Sequence, residues 1–143
     1  HMAEYRTRVR YAETGAEGVA YYGSYYPWYD MAQEQFLRDN GLSYEVISQS
    51  GIHFVPIDMH SRFYTPAYFG EDITVRMKIL SVSSIKTVVE YRVTKDATGD
   101  VVAVCTAVCA CMNKQMRPLV LKKALPKLYE ALKAEAEESK AVK

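Results

Sequence analysis

The feature that most constrains the fold is a change of hydrophobic period near Gly51. Before it, Tyr25, Trp28, Tyr29, Ala32 and Phe36 recur three or four residues apart and make one apolar helical face. Ser24 is placed as the cap of that helix, Pro27 in its first turn and Gly41 at its stop, with Asp30, Gln33 and Glu34 off the apolar stripe. A short second helix is expected over Tyr44 to Gln49. From residue 52 the period is two, and residues 52–64 read as one long strand. There Asp58, His60, Arg62 and Tyr64 share a face opposite Met59, Ser61 and Phe63. Ile73 to Ile79 and Val88 to Thr94 continue the alternation, and "KDATGD" supplies a hairpin turn. Val101 to Met112 is apolar on both faces, as a covered central strand should be. With a first strand over Tyr5 to Tyr11, the order predicts an α+β domain, an antiparallel sheet of about five strands wrapped round a long helix.

Residues 1–143 are expected to form one domain. His1-Met2 reads as a cloning remnant, residues 1–4 as a disordered start, and about 122–143 as a C-terminal helix with a solvated or frayed tail. A formal net charge of +1 gives no electrostatic case for nucleic acid or an anionic membrane. No apolar run is long enough to span a membrane. Cys105, Cys109 and Cys111 crowd one apolar strand, which fits reduced, packed thiols and a cytoplasmic setting better than a disulfide framework. No metal or cofactor site is expected, because Cys-x-Cys alone supplies too few ligands. The glycines at 15, 18 and 23 fit neither a dinucleotide-binding nor a Walker spacing, and no G-x-S-x-G occurs.

What remains is "ETGAEGVAYYGSYYPWYD", residues 13–30, with three glycines and five tyrosines leading into the helix. A glycine-rich helix entry presents backbone N–H groups to a negatively charged oxygen. Yet no histidine, cysteine or lysine accompanies it.

"VRYAETGAEGVAYYGSYYPWYDMAQEQFLRDNG" resembles the opening motif of 4-hydroxybenzoyl-CoA thioesterase-like hotdog proteins, roughly R-Y-x-E-T-D-x-x-G-V-V-Y-H-x-x-Y before an aromatic helix. The resemblance continues through "FVPIDMHSRFYTPAYFGEDITVRMKI" and "MRPLVLKKALP", so it covers roughly residues 5 to 126. It implies a hotdog fold, assembly as a homodimer or homotetramer, and hydrolysis of an acyl-CoA or acyl-carrier-protein thioester without a cofactor. It also implies an Asp after the Glu-Thr pair and a Tyr-His pair further on. Here those positions are Gly15 and Tyr21-Tyr22, so the side chain that serves as nucleophile or general base is missing.

The carbonyl-polarising half of the implied site needs only backbone, and Tyr22 and Gly23 N–H groups are its candidates. Three carboxylates are candidates for the missing acid. Glu17 lies in the same loop, Glu34 on the helix and Asp58 on the long strand, each otherwise a solvated or flanking carboxylate. Tyr22 holding a water beside Gly15 is a fourth route. Tyr21, Tyr25, Tyr29, His60 and Arg62 are expected to bind substrate, with the tyrosines suiting an aromatic or medium-sized acyl group. Asp58 and His60 also read as a polar strand face at a subunit contact. The competing functional reading is a non-catalytic acyl-thioester-binding protein, for which loss of the Asp is the point.

Overall fold

A computed structural model describes residues 2–141. His1, part of the expected cloning remnant, and residues 142–143 of the expected tail lie outside them. Five strands, β1 (Ala3–Arg8), β2 (His53–Phe63), β3 (Asp72–Val82), β4 (Lys86–Lys95) and β5 (Val101–Met112), form one sheet of order β1-β3-β4-β5-β2. All four pairings are antiparallel. The helices are α1 (Tyr25–Asp39), α2 (Tyr44–Gln49), α3 (Leu121–Ala124) and α4 (Pro126–Ala141). This is the α+β arrangement that the change of period predicts.

Register explains how the two sheet faces divide. One row runs Met77–Tyr91–Cys105–Ser61 across β3, β4, β5 and β2, and it lies under α1. Tyr29 of α1 stacks on Tyr91 at 5.2 Å and its hydroxyl lies 3.2 Å from Ser61 Oγ. The neighbouring row, Glu4–Arg76–Arg92–Val104–Arg62, carries the charged side chains of the opposite face. Helix α1 is seated by small residues: Ala103, Cys105, Ala107 and Cys109 of β5 are all fully buried. The three cysteines are free, and burial pushes the Cys109 thiol up to about 12. They behave as packed small hydrophobes.

Several boundaries differ from the sequence reading. Strand β1 starts at Ala3, so Ala3 and Glu4 are ordered into the sheet rather than part of a loose start. Ala3 is fully buried opposite Met77. The strand ends at Arg8, and Tyr11 belongs to a 3₁₀ turn, Tyr11–Glu13. Ser24 makes no side-chain cap, because its backbone is already helical (φ −71°, ψ −22°) rather than extended; its hydroxyl donates to the Glu13 carbonyl. Gln33 is buried, not off the apolar stripe; its Oε1 accepts the Tyr91 hydroxyl at 3.0 Å. The tail is helical through Ala141, and Leu128, Leu132 and Ala136 join the core beside β3. Amphipathic spacing at residues 128, 132 and 136 carries that helix beyond the expected frayed end.

Candidate active site

The segment 13–30 folds as a pinched loop running into α1. Gly15 N–H donates to Val19 O at 2.9 Å and Gly18 N–H to Gly15 O at 3.0 Å. Gly18 takes φ +75°, a conformation that favours glycine. Gly15 takes no such angle, and a Cβ built there meets nothing nearer than Val19 O at 4.0 Å. A side chain is therefore accommodated at residue 15. The loop is sewn to the 64–71 turn: Phe69 N–H bonds Gly18 O, and Ala20 N–H bonds Ala67 O, both at 2.8 Å.

A second 3₁₀ turn, Tyr22–Ser24, leads directly into α1. Tyr21 N–H, just before it, donates to Glu13 O at 3.2 Å, and Ser24 N–H donates to Tyr21 O at 2.9 Å. Among the described residues, the Tyr22 and Gly23 N–H groups have no hydrogen-bond partner. They sit at the positive end of the α1 dipole. A Cβ at residue 23 would lie 2.8 Å from Tyr21 Cε2, so a side chain there would push the exposed Tyr21 ring aside.

Beside this turn is a cleft of about 410 Å³, walled by Val19, Ala20, Tyr21, Tyr22, Tyr25 and the run Phe63 to Pro66. The Tyr25 ring meets Phe63 edge-on at 5.1 Å and Trp28 at 4.9 Å. Burial pushes the Tyr25 phenol up to about 12, against the opposing effect of the Ala67 backbone N–H. It is therefore a neutral hydroxyl at ordinary pH. Among the described residues, no carboxylate lines the cleft.

The structure thus brings Tyr21, Tyr22 and Tyr25 together at one cleft, with Gly15 and Gly23 on the segment that forms its rim. The other candidates lie elsewhere in the protomer. Glu17 is exposed in the loop. Glu34, on α1, is ion-paired with Arg38 at 3.3 Å. Asp58, His60 and Arg62 are exposed on β2, opposite Val108, Thr106 and Val104. Tyr29, on the sheet-facing side of α1, is fully buried against Tyr91, so it packs the core instead of lining the cleft. Phe63, Tyr64, Thr65 and Pro66 are wall residues to which the sequence reading gave no site role; Phe63 ends the long strand and the others begin the turn after it, and strand period alone does not say which end faces a cleft.

Glu13 is the other omission. Its carboxylate accepts Trp28 Nε1 and Arg10 N, both at 2.8 Å, and its side chain is mostly buried. Burial raises its pKa, but the Arg10 backbone and guanidinium and the Trp28 indole outweigh that and hold it below the ordinary range.

A family model described as the thioesterase-like superfamily matches residues 9–137. The chain belongs to the thioesterase-like superfamily. Among relatives in this superfamily, the acyl-CoA thioester hydrolase YbgC of Escherichia coli is 28% identical over 119 residues, 82% of this chain and 88% of that protein. The crystal structure of DHNA-CoA thioesterase from Staphylococcus aureus superposes with a TM-score of 0.90 at 22% identity, covering 98% of this chain and 95% of that one. Slr0204, a 1,4-dihydroxy-2-naphthoyl-CoA thioesterase from Synechocystis, superposes at 0.80 and 19% identity, covering 92% and 96%. These superpositions establish the fold: the five-stranded sheet and long helix are those of hotdog thioesterases.

Proposed function

We propose that this superfamily member is an enzyme that hydrolyses an acyl-CoA thioester, with an acyl-carrier-protein thioester as the second possible carrier. The observation that carries the reading is the unpartnered Tyr22 and Gly23 N–H pair at the entry of α1, beside an aromatic cleft. Water adds to the thioester carbonyl carbon, and the oxyanion formed takes hydrogen bonds from that pair. Collapse then breaks the C–S bond, and the departing thiolate takes up a proton, releasing acid and thiol. One such donor contributes about 3 kcal/mol to lowering the barrier in enzymes where it has been removed. The tyrosine-rich walls suit an aromatic or medium-sized acyl group, in line with the naphthoyl substrate named for Slr0204.

With Gly15 in the position of the family's acid, water is activated by Glu17, Glu34, Asp58, or a Tyr22-bound water in the space beside Gly15. Exposed Phe63, Tyr64 and Tyr22 around the cleft support a working unit of two or four chains, in which a second subunit closes the site. Among the described residues no helix is long and apolar enough to cross a membrane; buried free thiols support the cytoplasmic reading.

The test is thiol release from acyl-CoAs ranging from benzoyl to long-chain. Saturable turnover that disappears with Glu17→Gln, Glu34→Gln or Asp58→Asn identifies the acid. A second reading, a non-catalytic acyl-thioester-binding protein, is favoured by the carboxylate-free cleft; it requires tight binding without thiol release.

A further inference from the structure

Glu13 holds the helix entry at both ends. Its backbone carbonyl accepts Tyr21 N–H at 3.2 Å and Ser24 Oγ–H at 2.8 Å, the residues on either side of Tyr22 and Gly23. Its carboxylate accepts Trp28 Nε1–H at 2.8 Å, one turn into α1, through Oε2. Arg10 completes the set, its backbone N–H on Oε1 at 2.8 Å and its guanidinium on Oε2 at 3.2 Å. Ser24 and Trp28 are both buried, at 4% and 2% exposure. A mostly buried carboxylate is rare unless its oxygens are satisfied, and these charge-assisted bonds are the strong kind.

The chain between these anchors has little freedom. Tyr21 is held through its N–H and Ser24 through its hydroxyl and N–H, which restrains the peptide planes between them. Those planes carry the Tyr22 and Gly23 N–H groups. The carboxylate itself does not line the cleft, so it touches no substrate.

We propose that the Glu13 side chain is a positioning group for the carbonyl-polarising N–H pair: its carboxylate ties Trp28, at the start of α1, to Arg10 before the loop, while the Glu13 backbone carbonyl anchors Tyr21 and Ser24. The inference rests on the thioesterase reading for its catalytic consequence, though not for its geometry. Donors aimed at a developing oxyanion tolerate little displacement, and an error of about 1 Å costs up to roughly a hundredfold in rate.

The test uses the full chain and its Glu13→Gln, Trp28→Phe and double variants. Glu130→Gln, an exposed position on α4, is the control. Positioning predicts a fall in kcat of about tenfold or more for Glu13→Gln, with KM changed by less than about twofold. Trp28→Phe is expected to lose part of the same rate, and the double variant to lose less than the product of the two. A folded Glu13→Gln protein with wild-type kcat overturns the inference. Should Glu13→Gln not fold, Trp28→Phe, which removes one donor and keeps an aromatic ring, carries the same comparison. The amide ¹⁵N–¹H signals of Tyr22 and Gly23 decide the geometry independently of turnover. They are expected to shift in Glu13→Gln and to stay in place in Glu130→Gln; unmoved signals overturn the inference. No turnover by the wild-type chain, with shifted amides, defeats the thioesterase reading and leaves the positioning geometry standing.

Discussion

At residue 15 the chain has space and ordinary backbone geometry for the acid that the sequence resemblance implies there. Gly15→Asp is therefore expected to fold normally and raise thioester hydrolysis at least about tenfold, a floor below the roughly 10²–10⁴-fold that a well-positioned base contributes. Thiol release under saturating substrate checks it, and an unchanged rate in the folded variant would show that water is activated from another part of the site. A second residue-scale prediction concerns Thr87, which is fully buried on β4. Among the described residues its hydroxyl is the one buried side-chain polar atom without a partner. Removing an unsatisfied buried hydroxyl relieves its desolvation cost. Thr87→Val is expected to stabilise the fold by about 1 kcal/mol, read as a higher denaturant midpoint; a lower midpoint would mean that the hydroxyl has a partner in solution.

At the scale of elements, α1 is tied to its entry loop by the Glu13 carboxylate and to the sheet by Tyr29, Gln33 and Tyr91. Glu13 titrates below its ordinary 4.5 in the fold. A depressed carboxyl contributes stability that is present above its unfolded pKa and lost as pH falls through the folded value. Acid unfolding is thus expected to steepen below about pH 4.5, and Glu13→Gln to flatten that limb; superimposable acid limbs would contradict the prediction. The main elements were legible in the sequence from a period of 3.6 residues over Tyr25 to Phe36, a period of two over β2 to β4, and the unbroken apolar run of β5; the short helix α3 and the two 3₁₀ turns were not. What escaped was long-range pairing. Gln33 looks like a solvated helix residue until Tyr91 offers its hydroxyl, 58 positions away. Ser24 has the composition of a cap, but its backbone is drawn into the helical conformation by the turn before α1, and its hydroxyl bonds the Glu13 carbonyl. Ala3 looks like a loose terminus until Met77 pairs with it. No local pattern encodes these partners.

For the whole molecule, the single protomer presents an aromatic-walled cleft with no carboxylate among the described residues, and the Tyr22 and Gly23 N–H groups lie on the turn beside it. Two of the candidate acids, Glu34 and Asp58, lie on α1 and β2, away from their own cleft, so their use requires a second chain. The mass by light scattering is expected to be two or four times that of one chain, independent of dilution through the micromolar range; a monomer would leave only Glu17 or a Tyr22-held water to act. The glycine-rich entry and its aromatic neighbours were visible in the sequence, while the opposing wall from Phe63 to Pro66 arises only when β2 folds back beside α1. The measurement that bears most directly on the account is thiol release from the acyl-CoA panel by the unmodified chain. The account predicts saturable turnover, with aromatic or medium-length acyl groups preferred. Tight binding of the same esters with no thiol released would contradict it and make the chain a binding protein.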